Sequence, residues 1–272
     1  MDKAKEEKVA TATATATVDK QFVAECFGRA IGTYDKNAVV QKGVAAALAA
    51  LMRRADFPAG ANIYEVGAGT GLMTSLLVAE FAPCHIVAND LCAECAEPVA
   101  KASGGRAVFL CGDADALPIP EGTDAVVSCS AVQWLEDKPA FFRKVAAALA
   151  DGGFFAFSTF GADNLREMCE LGVGGLAYDS AEAYERMLAE AGFRIVAATD
   201  GTESVFFPDT RTLLRHFRET GVGGIRREKW TLRETMRFCH EYERRFRDPR
   251  GLALTYHPLA FVCTRCTNKP DG

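Results

Sequence analysis

The stretch Glu65-Val66-Gly67-Ala68-Gly69-Thr70-Gly71 constrains this chain more than any other. A short apolar run, Asn62-Ile63-Tyr64, leads through one acidic residue into three glycines at alternate positions. Glycine is needed where a turn is tight, where a ligand must approach the backbone, and where a helix must pack closely on a strand. A strand, this turn and the helix after it make a ligand loop of the nucleotide-binding type.

The register separates two ligand classes. A dinucleotide fingerprint counted from Gly67 requires glycine at position 72, where this chain has Leu72, and Glu65 would repel a pyrophosphate. A ligand carrying an ammonium and a sulfonium would instead be attracted to Glu65, with its carboxylate taken by backbone N–H groups at the start of the following helix. S-adenosylmethionine has that charge pattern. The competing reading of the motif alone is a turn that only lets a helix pack on a strand. Two further acids decide between them. Asp90 closes the apolar run His85-Ile86-Val87-Ala88, where one carboxylate can accept from both ribose hydroxyls. Asp113 follows Ala107-Val108-Phe109-Leu110 and is positioned for an adenine amino group.

Apolar segments at 62–66, 85–89, 107–110, 124–129 and 153–159 read as strands, and the Ala/Leu-rich stretches between them, such as 139–149, as helices. That alternation predicts an α/β fold with a doubly wound, mostly parallel sheet. Residues 193–207 and 252–264 read as two further strands. The division expected is a disordered tail over 1–20, an N-terminal helical lid over 21–60, a core over 61–208 and 252–266, and a helical cap insertion over 209–251. Residues 163–178 and the cap are expected to roof the site, with glycines at Gly172 and Gly221-Val222-Gly223-Gly224 as hinges.

At 272 residues the chain can bury a sizeable core. No apolar run is long enough to span a membrane. The first twenty residues lack an apolar signal region and contain Asp2, Glu6 and Glu7, so they read as neither a secretory nor an organelle-targeting segment, and a cytoplasmic location is expected. Of ten cysteines, Cys92 with Cys95 and Cys263 with Cys266 have metal-ligand spacing, yet reduced, mostly buried thiols without a metal are the favoured reading.

Beyond these motifs the chain resembles the malonyl-[acyl-carrier protein] O-methyltransferases of biotin synthesis, within the class I S-adenosylmethionine-dependent methyltransferases. The resemblance runs from about Gln21 to Arg265. It rests on Cys26-Phe27-Gly28-Arg29, Tyr34-Asp35-Lys36-Asn37 with Gln41, Ser130-Ala131-Val132-Gln133-Trp134-Leu135, Phe157-Ser158-Thr159-Phe160-Gly161, Thr220-Gly221-Val222-Gly223-Gly224 and Leu254-Thr255-Tyr256-His257. Two departures stand out. Glu65 replaces the Asp common in the family, and Asn89-Asp90-Leu91-Cys92 varies its usual Asp-x-Ser.

The resemblance implies a seven-stranded sheet whose last strand is antiparallel, S-adenosylmethionine as methyl donor, and methylation of the free carboxylate of a malonyl thioester. Cofactor-binding positions are then Arg29, Tyr34, Glu65, Gly67, Ala68, Gly69, Gly71, Asp90, Leu91, Asp113, Ala114 and Ser130. Tyr34, Gln133 and Trp134 are expected at the reacting groups, and Phe27 at the acyl end. A carboxylate is already an anion at neutral pH, so no general base is required. Its recognition calls for a cation: Arg166 is the first candidate, with Arg29, Arg226 and Arg227 as alternatives.

The expected partner is an acidic acyl-carrier protein, with coenzyme A as the other possible carrier. Residues 209–250 contain 12 Arg and Lys against 7 Asp and Glu in a chain of net charge −5, a basic cap suited to docking it. The same charges would serve nucleic acid, but no RNA-binding signature accompanies them, and no nucleic-acid partner is expected. The alternatives are methylation of another small carboxylate or a protein side chain, and a non-catalytic scaffold. Retention of Glu65, Gly67, Gly69, Asp90 and Asp113 speaks against the scaffold.

Overall fold

The computed structural model describes residues 19–173, 176–220 and 230–266. Strands β1 (Asn62–Val66), β2 (His85–Asp90), β3 (Ala107–Cys111), β4 (Ala125–Cys129) and β5 (Phe154–Phe160) pair in parallel in the order β3-β2-β1-β4-β5. They match the apolar runs of the sequence to within a residue. In β4, Ala125 and Val127 face one core and Val126 the other, all fully buried. Burial on both faces marks a central strand of a parallel sheet covered by helices on each side.

Strand β6 (Phe193–Asp200) forms the far edge. The seven-stranded sheet closes when β10 (Pro258–Arg265) inserts antiparallel between β5 and β6. On one face α2 (Val39–Arg54) and α3 (Leu72–Glu80) contribute Leu48, Met52 and Leu77 to a core with Ile63, Ile86 and Val262. On the other, α5 (Lys138–Ala148) and α7 (Ala181–Glu190) contribute Phe142 and Tyr184, which pack on Phe155, Phe157 and Phe261. Asp137 starts α5 by accepting from the Ala140 N–H, with Pro139 in the first turn, where its missing N–H costs nothing.

The two late strand-like runs are not single strands. Residues 193–207 break at Gly201-Thr202, and 252–264 break at His257, so β7 (Glu203–Phe207), β9 (Gly251–Tyr256) and the short β8 (Arg247–Asp248) form a separate antiparallel sheet. Both breaks lie at one corner. His257 Nε2 pairs with Asp200 Oδ1 at 2.7 Å, its Nδ1 accepts the Asp163 N–H at 3.1 Å, and its carbonyl accepts from Gly161 N–H. The small sheet packs with α8 (Thr210–Glu219) and α9 (Leu232–Phe246) around Leu213, Phe217, Phe238, Tyr242 and Leu254. The cap is thus a mixed α/β unit, where a purely helical insertion was expected. The expected hinge at 221–224 lies outside the described residues, as do residues 1–18 of the tail.

The N-terminal segment is helical, as α1 (Lys20–Asn37) followed after Ala38 by α2. Asp19 caps α1 by accepting from the Phe22 N–H at 3.0 Å. Helix α1 leans on α8 and on the turn that precedes α4 (Ala96–Ser103).

Candidate functional site

The loops that leave the C-terminal ends of β1 to β4 enclose a cavity of about 210 Å³, with α1 across it. This is where ligands bind in open parallel sheets, because helix N-termini and free strand ends converge there.

The glycine loop is fixed from below and packed from both sides. The N–H groups of Gly67 and Ala68 both donate to the Asn89 carbonyl at 2.9 Å. Gly67, Gly69 and Gly71 all take left-handed φ values of 70°, 55° and 83°. A Cβ on Gly67 would sit 2.2 Å from the Ala131 Cβ, and one on Gly71 would sit 2.5 Å from the Ala102 Cβ. Those two glycines serve packing, against the loop after β4 and against α4. Gly69 faces the lid: a Cβ there would lie 3.3 Å from the Phe27 ring.

The three acids divide in role. Asp90 lines the cavity, and its carboxylate accepts from the Gly69 N–H at 2.8 Å and the Cys92 N–H at 2.9 Å. Burial raises its pKa while those N–H groups oppose the rise. Asp113 also lines the cavity, but both its oxygens are held by the Lys20 ammonium at 2.7 and 2.8 Å. The lid supplies a cation exactly where a neutral amino group was expected to dock; the second turn residue, Asp115, shares that ammonium.

Glu65 corrects an expectation. It does not line the cavity: strand alternation turns its side chain beneath the loop, where it is 1% exposed. Oε2 accepts from Thr74 Oγ1 at 2.7 Å, and Oε1 is buried without a partner. Burial pushes its carboxyl up to about 8, the Thr74 hydroxyl pulls the other way, and the Asp90 charge adds to the rise. Glu65 therefore stands behind the cavity wall, not on it.

Phe27, Tyr34, Gly67, Ala68, Gly69, Leu91, Ala114, Ser130, Gln133 and Trp134 all line the cavity. Phe27 and Tyr34 meet edge to face with centroids 5.0 Å apart. Burial raises the Tyr34 pKa, so its hydroxyl stays a neutral donor. Ser130 is left-handed at φ 55°, held through its N–H by Ser158 Oγ at 3.0 Å. The Gln133 amide is already engaged, donating to the Ser130 carbonyl at 2.6 Å and accepting from Thr159 Oγ1 at 3.3 Å. Gln133 therefore holds the loop after β4 in place.

The proposed cations do not gather there. Arg166 is turned outward and 57% exposed, with Nε 3.6 Å from Glu167 Oε1. The left-handed Leu165 that opens α6 (Arg166–Glu170) buries Glu167 in its stead, where it accepts from the Thr255 N–H and hydroxyl at 2.9 and 2.6 Å. Arg29 is exposed on α1 beside Cys26 and does not line the cavity. Arg226 and Arg227 lie outside the described residues. Cys92 and Cys95 sit at the C-terminal end of β2 and Cys263 near the opposite edge, where Thr264 pairs with Phe154, so the two C-x-x-C pairs stay apart.

Several polar wall residues carried no assigned role in the sequence reading. Lys20, Gln41 and Thr220 all line the cavity. Gln41 is 5% exposed and its Oε1 has no partner. A polar residue in the buried stripe of α2, with Val44, Ala45, Leu48 and Met52, was the available signal. Asp35 was missed as well: it accepts from Thr70 Oγ1 at 2.7 Å and latches the lid to the glycine loop.

These residues fit S-adenosylmethionine. Gly67, Ala68 and Gly69 bring bare backbone to the cavity wall, Asp90 offers a carboxylate of the kind that accepts from ribose hydroxyls, and the buried Glu65 lies behind the loop with one oxygen unpartnered.

A family profile described as a methyltransferase domain matches residues 64–157. Among solved structures, a putative methyltransferase from Bacillus halodurans superposes with a TM-score of 0.59 at 18% identity, covering 81% of this chain and 99% of that one. A Haemonchus contortus phosphoethanolamine N-methyltransferase in complex with S-adenosylhomocysteine gives 0.55 at 16%, covering 91% and 60%. A malonyl-[acyl-carrier protein] O-methyltransferase of Bacteroides fragilis is 38% identical over 93% of this chain, which spans only 52% of that longer protein. Its namesake in Chlorobium phaeovibrioides is 36% identical over 91% of this chain and 97% of its own length. With that identity across nearly the whole of both chains, on a class I methyltransferase fold, this chain belongs to the malonyl-[acyl-carrier protein] O-methyltransferase family.

Proposed function

We propose that this protein methylates the free carboxylate of malonyl-acyl-carrier protein, using S-adenosylmethionine and leaving S-adenosylhomocysteine, early in assembly of the pimeloyl chain of biotin. The observation that carries this reading is the match to the Chlorobium relative over almost all of both chains. Esterification masks a charge that chain-extending enzymes would reject. The setting is the cytoplasm; among the described residues no helix is long and apolar enough to cross a membrane.

When bound, S-adenosylmethionine supplies a methyl group on a sulfonium, which a carboxylate can take without prior deprotonation. Asp90 is assigned to the ribose hydroxyls, Leu91 and Ala114 to the faces of the adenine, and Asp113, shared with Lys20, to its edge. The Gly67-Ala68-Gly69 backbone is assigned to the amino-acid end. Lys144 supports this arrangement by donating to the carbonyls of Ala114, Asp115 and Leu117, fixing the turn that carries Ala114.

The remaining work is orientation and dryness. Phe27, Tyr34 and Trp134 enclose the acceptor side, and the Lys20 and Asp35 contacts keep α1 closed over it. Closure excludes the water that would solvate the carboxylate and lets its oxygen be held in line. Methylation discharges the acceptor, so a strong cation on the carboxylate would stabilise the ground state more than the transition state. Neutral donors such as Tyr34 and the Gln41 amide suit the step better than an arginine.

Intact-mass measurement of malonyl-acyl-carrier protein after incubation with enzyme and S-adenosylmethionine tests the reading. A mass gain of one methyl group on the malonyl carrier, absent without S-adenosylmethionine, is expected. An unchanged mass, with S-adenosylhomocysteine binding intact, would remove the malonyl acceptor.

A further inference from the structure

Helices α1 and α8 end side by side, and the same two ends line two concavities. Tyr34 and Thr220 line the cavity described above. Lys36 and Val39, just beyond Tyr34, and Arg215 and Glu219, just before Thr220, line a separate groove floored by Val205 and Phe207 of β7. The groove therefore adjoins the acceptor side of the site.

Its composition is that of a docking surface. Val39 is 73% exposed, one of few large apolar side chains so placed among the described residues. Lys36 and Arg215 are exposed and enter no salt bridge among the described residues. Four arginines at the far end of the cap are tied down: Arg244 to Glu241, Arg245 to Glu170, Arg247 to Glu243 and Arg250 to Asp248. Along α8 the exposed Arg211, Arg215 and Arg218 follow one another at helical spacing, extending the positive charge away from the groove. Among the described residues Glu219 is the one acid on its walls.

We infer that this groove is where the acyl-carrier protein seats, its acidic surface against Lys36 and Arg215 and its apolar surface against Val39, so that its thioester arm enters beside Tyr34 and Thr220. The inference rests on the function proposed above. The two carriers considered for the malonyl group differ here: a groove of exposed side chains serves a protein partner, whereas a coenzyme needs only the cavity. Exposed complementary charges act mainly on the encounter rate, with a strong dependence on salt.

The test compares malonyl-acyl-carrier protein with malonyl-pantetheine, which has the acyl end and the arm but no carrier. Lys36→Glu with Arg215→Glu is expected to raise KM for the carrier-borne substrate about tenfold or more and to flatten its salt dependence. Turnover of malonyl-pantetheine should be unchanged, which also reports on folding. Val39→Asp should act in the same direction. Arg233→Glu with Arg237→Glu, an equal charge change on α9, should leave KM within about twofold. Equal KM in the groove variant and the parent, or a larger effect from the α9 pair, would overturn the assignment. Failure of the parent itself to methylate malonyl-acyl-carrier protein would instead strike the function on which it rests.

Discussion

The cofactor edge of the sheet and the cap that covers it are built on different principles. At the cofactor edge each functional group closes a strand or follows it within one turn: the glycine loop after β1, Asp90 at the end of β2, Asp113 after β3 and Ser130 after β4. The sheet register aligns those strand ends, so local sequence is enough to bring the groups together. In the cap the decisive contacts span the chain: Glu167 with Thr255, His257 with Asp200, and His216 Nε2 with the Tyr256 hydroxyl at 2.7 Å. Contacts of that kind depend on tertiary packing and leave little periodic trace in sequence.

Substitutions should separate the regions most sharply where the cofactor edge has no spare space. Gly67→Ala forces a Cβ into Ala131 at a left-handed φ, so S-adenosylhomocysteine binding by calorimetry should disappear and stability should fall by more than about 2 kcal/mol. Gly104→Ala, also left-handed but facing open space, should lose only about 1 kcal/mol and bind normally. Equal behaviour of the two would mean that the loop is not close-packed.

In the cap, Glu167→Ala removes the acceptor of two buried Thr255 groups. A loss of about 2–4 kcal/mol in denaturant unfolding is expected, with cofactor affinity little changed in the folded protein. Loss of cofactor affinity as large as that of an Asp90 variant would erase the distinction between the regions. Asp90→Asn itself should weaken S-adenosylhomocysteine by about tenfold to a hundredfold, since it removes a charged acceptor.

Glu65 gives a pH signature. Its folded-state carboxyl lies at about 8 against an ordinary 4.5, so the folded state binds the extra proton between those values. Stability from this group is present at low pH and declines as pH rises from the ordinary value through about 8, a change of a few kcal/mol. Glu65→Gln, which mimics the protonated form, should flatten the thermal midpoint between about pH 5 and pH 9. If parent and variant fall in parallel, Glu65 is charged throughout. A cationic ligand above the loop should also expel that proton, giving buffer-dependent heat with S-adenosylmethionine that neutral S-adenosylhomocysteine lacks.

The smallest effect is expected from Arg166→Ala, which should change turnover of the malonyl substrate less than about twofold because its side chain lies outside the cavity. A large loss would restore arginine recognition of the carboxylate and undo the contrast drawn with neutral donors.

The five parallel strands were readable because each is a short apolar run bounded by turn residues, and the antiparallel closing strand followed from the family resemblance. The run at 193–207 reads as one strand despite the polar Thr199-Asp200-Gly201-Thr202-Glu203-Ser204 within it; the Asp200 to His257 corner, formed by residues far apart in sequence, breaks it there. Lys20 falls in the expected tail, yet its ammonium pairs with Asp113 in the loop after β3, far away in sequence. Arg166 looked suitable by charge alone, but the backbone turn at Leu165 decides which side chain points inward. Side-chain direction at the start of a short helix is not written in local composition.

The central claim is tested most directly by following labelled methyl from S-adenosylmethionine onto malonyl-acyl-carrier protein, with acetyl-acyl-carrier protein, which lacks a free carboxylate, alongside. Base-labile label on the malonyl carrier alone is the predicted result. Label on both carriers, or on neither in a preparation that binds S-adenosylhomocysteine, would contradict it.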